Sequence, residues 1–465
     1  MASIKHLHVL RQVGASDALL AFATRDGGLT DALYQWVPST GWSLIKELPG
    51  TGLIYDSVTW RNRLYWVDGK NSLGIYDGTG FCASPPQAPV GQFIVVYQGR
   101  LVIGGDARLV PSEVSAVNSN RNLIRYCESL DDSTWSPNNF VQCDIVGDGQ
   151  VISGLAVNTV STSDQGAQAN LLIFHPTATL MHKGVLGSGD VELDVLSGVR
   201  GCPGYHTITD TPYGVMFASS QATMGSKPTV CVVNPQGGEP MEIGFPIWTD
   251  LVPIQSSMHA LAAAVYHDNM LKVAFNGTGT GTANDHEWWL DLRQTVFPGE
   301  HNWYGAHLGD SICQWVIYQG KLVAAQNDSM NVWEVDVEGQ WGSMATPATA
   351  RTSTQIWPRI RVQGQKKGQI DAYGMMGQIA AGVVLTGSIS IDRGTQTISD
   401  TWTAPASLSS ETPMYALIRP ARFEGHDAKI TWTHSAASDI TVDSIYVRSL
   451  QRGRQQEKQS NSSQT

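Results

Sequence analysis

The chain has 465 residues and a formal net charge of −11, and charged residues make up only 15% of it. This length exceeds one ordinary hydrophobic core, so it holds two or three domains or a repeat domain with an appendage. The excess of acidic residues argues against a protein that binds nucleic acid through the phosphate backbone. Nothing has the periodicity of a long amphipathic helix, so the composition favours an all-β protein.

The cysteines and the apolar runs indicate where the protein is made. Six cysteines are scattered without a C-x-x-C pair, and we expect them to be reduced and mostly buried, in a protein made in a cytosol. No basic-then-apolar leader opens the sequence, so Sec-type secretion is not expected. The longest apolar runs, such as 379–385, are too short to cross a bilayer, so no membrane-spanning segment is predicted.

A short hairpin pattern recurs along the chain. Each copy has a β-branched or aromatic run, a short polar turn and a second apolar run, at residues 58–65, 95–102, 264–271 and 316–323. The polar pairs in the middle, such as Gln98-Gly99 and Arg61-Asn62, supply the backbone freedom that a tight hairpin turn needs. Recurrence of a hairpin over a chain of this length indicates a radial or stacked β architecture.

Seven strand-rich units follow one another before residue 350. They span residues 18–42, 56–76, 93–140, 151–184, 205–243, 260–307 and 313–341. Their spacing is about that of a four-stranded propeller blade. We therefore predict a β-propeller of about seven blades over residues 1–350.

The pattern changes after residue 350. Alternating strands predicted at 355–362, 382–391, 414–423, 429–434 and 440–450 are typical of a separate β-sandwich, which gives a second domain over residues 351–450. Residues 451–465 are polar and lack an apolar anchor, so we predict a disordered tail there.

A glycine-rich stretch and a set of histidines are candidates for phosphate or metal binding. Residues 277–282 lack the Gly-Lys-Ser/Thr ending and the following helix of a phosphate-binding loop, so a flexible hairpin loop is the better interpretation. The candidate metal ligands do not reproduce the spacing of a known zinc or iron site; they are His6, His8, Asp285, His286, Glu287, His301 and His307. We predict no metal and no cofactor.

Carboxylates and aromatic residues raise the possibility of a glycan site. Glu128, Asp131 and Asp132 are close in sequence, and paired carboxylates can hydrolyse glycosides. Residues 129–135 are similar to the Asp-box turn of propeller glycosidases, which is a structural turn, and no Gly-x-Ser-x-Gly elbow is present. We therefore predict no catalytic residue and no enzyme. Aromatic residues that could form a sugar platform are better interpreted as packing between blades; they are Trp288, Trp289, Trp303, Tyr304 and Trp315.

The segment 123–140 (LIRYCESLDDSTWSPNNF) resembles a segment of the tail accessory proteins of short-tailed bacteriophages. These packaged-DNA stabilisation, or tail nozzle, proteins include a propeller ring at the bottom of the head-to-tail channel. Further pieces that are compatible with the family follow in order, so the resemblance covers about residues 50–450; they are 151–156, 169–175, 288–292, 318–323, 332–334, 388–394, 419–423 and 440–447.

This resemblance implies a structural virion protein of the phage tail, assembled in the host cytoplasm. Its copies would form a ring of six that joins the head–tail adaptor and other tail proteins, retains packaged DNA and conducts it during ejection without sequence-specific binding. The family provides no catalytic residue. The alternative is a monomeric propeller that binds or cleaves host-surface glycans, which a pocket of Arg plus Glu or Asp at the propeller axis, or a glycan-array signal, would favour. A cellular interaction scaffold is a third possibility.

Overall fold

The computed structural model describes residues 3–450 apart from 26–27, 29, 39, 52, 106–121, 144–149, 163–165, 189–191, 221–227, 252–253, 255, 278–283, 294–300, 302, 309–310, 327–330, 336–341, 344–350, 357–359, 362–367, 380–383, 392–395, 404–412, 419–422, 426 and 437–439. Contacts divide the chain into two compact units. The first comprises residues 1–303, 310–336 and 342–347, and the second comprises 304–309, 337–341 and 348–465. No helix in the described part of the chain is long and apolar enough to cross a membrane.

Most of the chain up to residue 343 consists of short antiparallel strands joined in sequence order. The strands are β1 (Ser3–Leu10), β2 (Ala18–Thr24), β3 (Asp31–Val37), β4 (Gly41–Leu48), β5 (Asp56–Trp60), β6 (Arg63–Val67), β7 (Gly74–Tyr76), β8 (Phe93–Tyr97), β9 (Arg100–Gly104), β10 (Leu123–Tyr126), β11 (Phe140–Gln142), β12 (Gly154–Thr162), β13 (Gly166–Phe174), β14 (Thr179–Lys183), β15 (Glu192–Ser197), β16 (Thr209–Thr211), β17 (Gly214–Ser219), β18 (Thr229–Val233), β19 (Met241–Glu242), β20 (Ala263–His267), β21 (Met270–Phe275), β22 (His286–Asp291), β23 (Trp303–Leu308), β24 (Ile312–Tyr318), β25 (Lys321–Gln326), β26 (Val332–Val335) and β27 (Gly342–Ser343). Helical turns at Tyr205–Thr207, Phe245–Ile247, Trp248–Leu251 and Ser256–Leu261 lie in the connections.

Seven sheets close into a ring. They begin at β1, β5, β8, β12, β16, β20 and β24, and each of these strands contacts the first strand of the next sheet, with β24 contacting β1. The first strand of every sheet therefore lies next to a common axis. This is a seven-bladed β-propeller, and it confirms the predicted fold class and number of blades. The first blade starts earlier than predicted, because β1 precedes the unit expected at 18–42.

The recurring hairpin pattern marks the turn between the first two strands of four blades. Both central residues of each turn have positive φ, which is the geometry of a type I′ turn; they are Arg61-Asn62, Gln98-Gly99, Asp268-Asn269 and Gln319-Gly320. Because this turn matches the right-handed twist of the strands, it fixes their register. The prediction of hairpins at these four places is confirmed.

Side chains between blades hold the ring together. Buried apolar clusters each draw residues from two neighbouring blades, as Tyr65 and Ile103 do for the second and third. At the junction of the first and last blades, the Gln314 side-chain amide bonds both backbone groups of Leu7. The Leu7 N–H donates to Oε1 at 2.6 Å, and Nε2 donates to the Leu7 carbonyl at 3.2 Å. Among the described strands none is shared by the first and last blades, so Gln314 supplies side-chain hydrogen bonds to the backbone at this junction.

The second unit contains two antiparallel sheets whose strands are β28 (Arg351–Ile356), β29 (Ile360–Arg361), β30 (Gly368–Ile379), β31 (Val384–Ile391), β32 (Gln396–Thr403), β33 (Pro413–Ile418), β34 (Phe423–Gly425), β35 (Asp427–Ala436) and β36 (Ile440–Leu450). Tyr373 of one sheet lies 5.9 Å from Trp432 of the other, between ring centroids, and the Tyr373 hydroxyl donates to the Gly387 carbonyl at 3.0 Å. The predicted β-sandwich is confirmed. The strand β30 was missed because Gly374 and Gly377 weaken its strand signal.

Candidate functional site on the propeller axis

A pocket of about 530 Å³, lined by both polar and apolar residues, lies along the axis of the propeller. Its walls come from the first strands of five blades, β1, β5, β16, β20 and β24, and from the turn at Tyr205–Thr207. The polar lining residues are His6, His8, Arg11, Asp56, Ser57, Thr59, Tyr205, His206, Thr209, Tyr266 and Gln314. Its volume is in the range that holds small ligands in proteins.

Two histidines and two hydroxyls form a continuous chain of hydrogen bonds across the wall between β1 and β5. His6 Nε2 lies 2.7 Å from Ser57 Oγ, which lies 2.8 Å from His8 Nδ1, and His8 Nε2 lies 2.7 Å from Thr59 Oγ1. The spacing arises because each pair occupies positions i and i+2 of a strand, so both side chains point to the same face. A serine hydroxyl has one hydrogen, so one of the two histidines must donate to Ser57.

Burial lowers the pKa of all three histidines at the axis. It lowers the pKa of His206 to about 4 and, with the nearby Arg11 guanidinium, that of His8 to about 3. The pKa of His6 falls well below its ordinary value because of burial, with smaller effects from His206 and His8. At neutral pH these imidazoles are therefore uncharged, and each offers one donor and one acceptor.

Asp56 is the one carboxylate among the described residues that line the pocket. Its Oδ1 accepts a hydrogen bond from the Ser57 N–H at 2.8 Å, and its Oδ2 accepts one from the Ile94 N–H at 2.9 Å. Burial raises the pKa of Asp56 to about 7, although the two N–H groups act in the opposite direction. Near neutral pH the site therefore holds a carboxyl group that can exist in either protonation state.

The turn at Tyr205–Thr207 covers one end of the axis. The Tyr205 hydroxyl donates to the Tyr55 carbonyl at 2.6 Å, and its ring lies 5.2 Å from that of Phe93 at the start of the third blade. His206 stacks on His6 of the first blade, with ring centroids 5.7 Å apart. Because this one turn reaches several blades, the axis is not an open channel at this end.

The sequence candidates for metal binding are dispersed. His6 and His8 lie at the axis, whereas His286 lies in the sixth blade with Nδ1 2.9 Å from Asp285 Oδ1. Glu287 is buried and accepts a hydrogen bond from Trp289 Nε1 at 3.2 Å. The side chain of His307 is outside the described residues. Across the part of the chain that the structure describes, no three His, Cys, Asp or Glu side chains are arranged to hold a metal ion.

The carboxylates of 128–132 have separate structural roles. Glu128 lies 3.4 Å from an Arg100 guanidinium nitrogen, and Asp132 accepts hydrogen bonds from Tyr65 at 2.5 Å and Arg63 at 3.3 Å. Asp131 accepts hydrogen bonds from the hydroxyl and N–H of Ser133, and these bonds, together with one from the Thr134 hydroxyl, lower the pKa of Asp131 to about 2. The segment thereby ties the third blade to the second.

The glycine-rich stretch and the tryptophans contribute little to the axis. Gly277 donates its N–H to Asp285 Oδ1 at 2.7 Å, and 278–282 are outside the described residues. Trp288 and Trp303 are buried, Trp289 lies over the Lys272 ammonium, and the Tyr304 side chain is outside the described residues. Trp315 alone of this set lines the axial pocket.

Sequence reasoning missed most of the axial site, including Asp56, Ser57, Thr59, Tyr205, His206 and Gln314. A usable signal was present: the first strands of two blades carry polar residues at i and i+2, while the second strands of the same hairpins are apolar. Polar residues on the strand next to the axis indicate that the centre of the propeller is accessible to solvent or to a ligand. Nothing local marked Tyr205 and His206, because they lie in a connection.

Comparisons with known proteins add a likeness of fold. No protein-family model matches the chain, and no curated protein does. A glycoside hydrolase family 43 arabinoxylan arabinofuranohydrolase from Bacillus subtilis, solved with cellotetraose, is 8% identical, with a TM-score of 0.28 over 96% of this chain and 94% of its own. A glycoside hydrolase family 32 β-fructofuranosidase from Bombyx mori is 10% identical, with a TM-score of 0.23 over 97% of this chain and 93% of its own. The carbohydrate-binding module TmCBM61, solved with β-1,4-galactotriose, is 14% identical, with a TM-score of 0.18 over 30% of this chain and 81% of its own.

These matches overturn the prediction that the chain is not an enzyme. Three matches that span almost the whole chain are glycoside hydrolases by name; the third is 10% identical, with a TM-score of 0.27 over 96% of this chain and 97% of its own. The prediction rested on the absence of motifs alone. At such identities and TM-scores, the likeness assigns no reaction, substrate or residue to this chain.

Proposed function

We propose that the propeller is a glycan-recognition protein that binds a neutral saccharide in its axial pocket. The observation that carries the proposal is the lining: apart from Asp56 and Arg11 it carries no charge at neutral pH, and the hydroxyl oxygens of Ser57, Thr59 and Tyr205 keep acceptor capacity beyond the bonds that they make within the protein. A saccharide presents the complementary surface, since its hydroxyls both donate and accept. The partly exposed Tyr266 adds apolar area for a sugar ring, whereas Trp315 borders the pocket but is almost fully buried.

The charge of the pocket disfavours phosphorylated ligands. Arg11 is the one permanent cation among the described lining residues, and its guanidinium is largely exposed, 3.8 Å from the Asp17 carboxylate. A phosphate group would bring at least one negative charge next to Asp56 without a buried cation to offset it. A nucleotide or a phosphorylated sugar therefore fits this lining less well than a neutral sugar.

Asp56 gives the site a group that could protonate a glycosidic oxygen. Its pKa near 7 is the value that a general acid needs at neutral pH. Glycoside hydrolysis also needs a nucleophile or base on the opposite side of the scissile bond. The described lining residues offer histidines and Ser57 for this role. Hydrolysis is therefore the activity to measure on any glycan that the pocket binds.

The test is a glycan array followed by calorimetric titration of the best ligand, with two pairs of matched variants. Ser57→Ala and Thr59→Val remove hydroxyls of the pocket, whereas Ser188→Ala and Thr51→Val remove exposed hydroxyls elsewhere. We expect the first two to weaken binding about tenfold each, as the loss of one buried hydrogen bond implies, and the controls to bind normally. Failure of every glycan to bind, or equal effects of pocket and control variants, would refute the proposal.

We also propose, from the resemblance of residues 123–140, that the protein is the tail nozzle of a short-tailed phage. In that role, six copies would form a ring that joins the adaptor, and DNA would pass between the copies. DNA would not pass along the axis of a single propeller, since Tyr205 and His206 cover one end of it. The structural contacts of Glu128 and Asp132 account for part of the same segment without any reference to a virion.

Mass measurement and negative-stain imaging of the purified protein separate these two proposals. The nozzle proposal predicts rings of about sixfold symmetry, or addition to the tail end of the portal–adaptor complex of its own virion. A strict monomer that ignores that complex would refute it. Glycan binding by such a monomer would leave the first proposal standing alone.

A further inference from the structure

The axial pocket has a closed end and an open end, and hydrogen bonds between the first strands of neighbouring blades show which residues lie at the same level along it. His6 pairs with Ser57 and His8 with Thr59, so β1 and β5 run in the same direction. The strand β24 also runs in this direction. Gln314 bonds to Leu7, and farther along both strands the Arg11 guanidinium donates to the Ile317 carbonyl at 3.3 Å. From the level of His6 to the level of Arg11, strand geometry gives a depth of about 16 Å.

The closed end is the end with the most buried polar groups. His6 lies there under the ring of His206, and its Nδ1 is buried without a hydrogen-bond partner in the described structure. Asp56 lies at the same level, since it directly precedes Ser57. The open end carries the exposed Arg11 and the partly exposed Tyr266. A ligand that enters past Arg11 therefore ends against His6, Asp56 and Tyr205.

The lateral walls of the pocket are formed by the first strands of the blades, and in the described part of the chain they show no second opening wide enough to be identified as an exit for a polymer. The first strands of neighbouring blades contact one another all round the ring, and buried clusters fill the space between neighbouring blades from the seventh through the first to the fifth. A chain that entered from the open end could not leave at the covered end without displacing Tyr205 from its bond with the Tyr55 carbonyl. An internal segment of a long glycan would need such an exit, whereas a terminal sugar would not.

We infer that the pocket recognises the end of a saccharide chain and excludes its interior. The terminal ring would contact His6, Ser57 and Asp56, and the rest of the chain would leave past Arg11. This inference rests on the proposed glycan-binding function and narrows its ligand class to chain ends. It also predicts a specific use for the unpartnered His6 Nδ1, namely a hydrogen bond with a hydroxyl of the terminal sugar.

The experiment uses the full chain and nested series of defined oligosaccharides, each member longer than the last by one sugar at one end. Glycan arrays identify the oligosaccharides that bind. Calorimetric titration then measures the affinity of each member that is extended at one end or at the other. We expect extension at one end of a bound glycan to lower its affinity at least tenfold, while extension at the other end leaves it unchanged. Equal binding of all members that contain the same internal sequence would overturn the inference.

The outcomes separate this inference from the proposed function. An array without any bound glycan refutes both. Bound glycans that share an internal motif and tolerate extension at both ends refute end recognition alone. A further variant, His6→Phe, keeps an aromatic ring beneath His206 but removes the ring nitrogens. It should weaken binding of the terminal sugar at least tenfold, while His182→Phe, a buried histidine outside the pocket, should not.

Discussion

Replacing Asp56 by Asn tests the electrostatics of the axis directly. The carboxyl group accepts N–H bonds from Ser57 and Ile94, and burial raises its pKa to about 7 from an ordinary 3.8. An Asn side chain has a similar shape but does not titrate and can accept only one of those two bonds. The substitution therefore carries a constant cost at every pH and removes one pH-dependent contribution to stability.

The sign and size of that contribution follow from the two pKa values. Below pH 3.8 Asp56 is protonated whether the chain is folded or not. Between 3.8 and 7 the unfolded chain loses the proton while the folded chain keeps it, so the free energy of unfolding falls as pH rises. About three pKa units correspond to about 4 kcal/mol at most, so we expect a contribution of about 2 to 4 kcal/mol.

The assay is urea unfolding of both proteins from pH 4 to pH 8, followed by tryptophan fluorescence. The three axial histidines act in the opposite direction, because their lowered pKa values remove stability as pH falls through 6.5, but they are present in both proteins. The unfolding free energy of the wild type minus that of Asp56→Asn should therefore fall by about 2 to 4 kcal/mol from pH 4 to pH 8. A difference that stays constant, or rises, would refute the reasoning.

Two further substitutions test how the ring is held together. Gln314→Ala leaves two backbone groups of β1 without their partner and should lower the unfolding free energy by about 1 to 3 kcal/mol, whereas Gln319→Ala on an exposed turn should change it by less than about 0.5 kcal/mol. Equal losses would contradict the role given to Gln314. Asp31→Ala leaves Lys5, 3.0 Å away, without its buried counter-charge and should cost about 3 to 5 kcal/mol, against less than about 1 kcal/mol for Asp17→Ala at the surface. Thermal or urea unfolding measures both pairs, and a small loss for Asp31→Ala would show that Lys5 finds water instead.

The fold was predictable because its signals are local. A type I′ turn depends on two residues and the strands beside them, so pairs such as Gln98-Gly99 could be read from the sequence alone. The same reasoning failed for β30, where glycines replace the usual strand residues, and for β1, which was placed outside the first blade. A strand that lacks a recognisable hairpin partner has no such local signal.

The site was less predictable because it is assembled from distant parts of the sequence. His6 and Ser57 are 51 residues apart, and Tyr205 lies 150 residues beyond Tyr55. Only closure of the ring brings them together. The sequence pattern made His6 and His8 candidate metal ligands, but in the structure their ring nitrogens form hydrogen bonds with the hydroxyls of Ser57 and Thr59. Asp56 had no neighbouring carboxylate to draw attention to it, since burial rather than a second charge perturbs it.

The junction between β1 and β24 has a consequence for the order of events during synthesis. Leu7 and the Gln314 amide that binds it are 307 residues apart, which is roughly 15 to 60 s of translation at ordinary rates. Throughout that interval the growing chain has an incomplete ring, and the first blade exposes an apolar flank to solvent and chaperones. The axial wall formed by Gln314 and Trp315 is added last. Acquisition of ligand binding by a nascent chain would therefore report the moment at which the final blade docks.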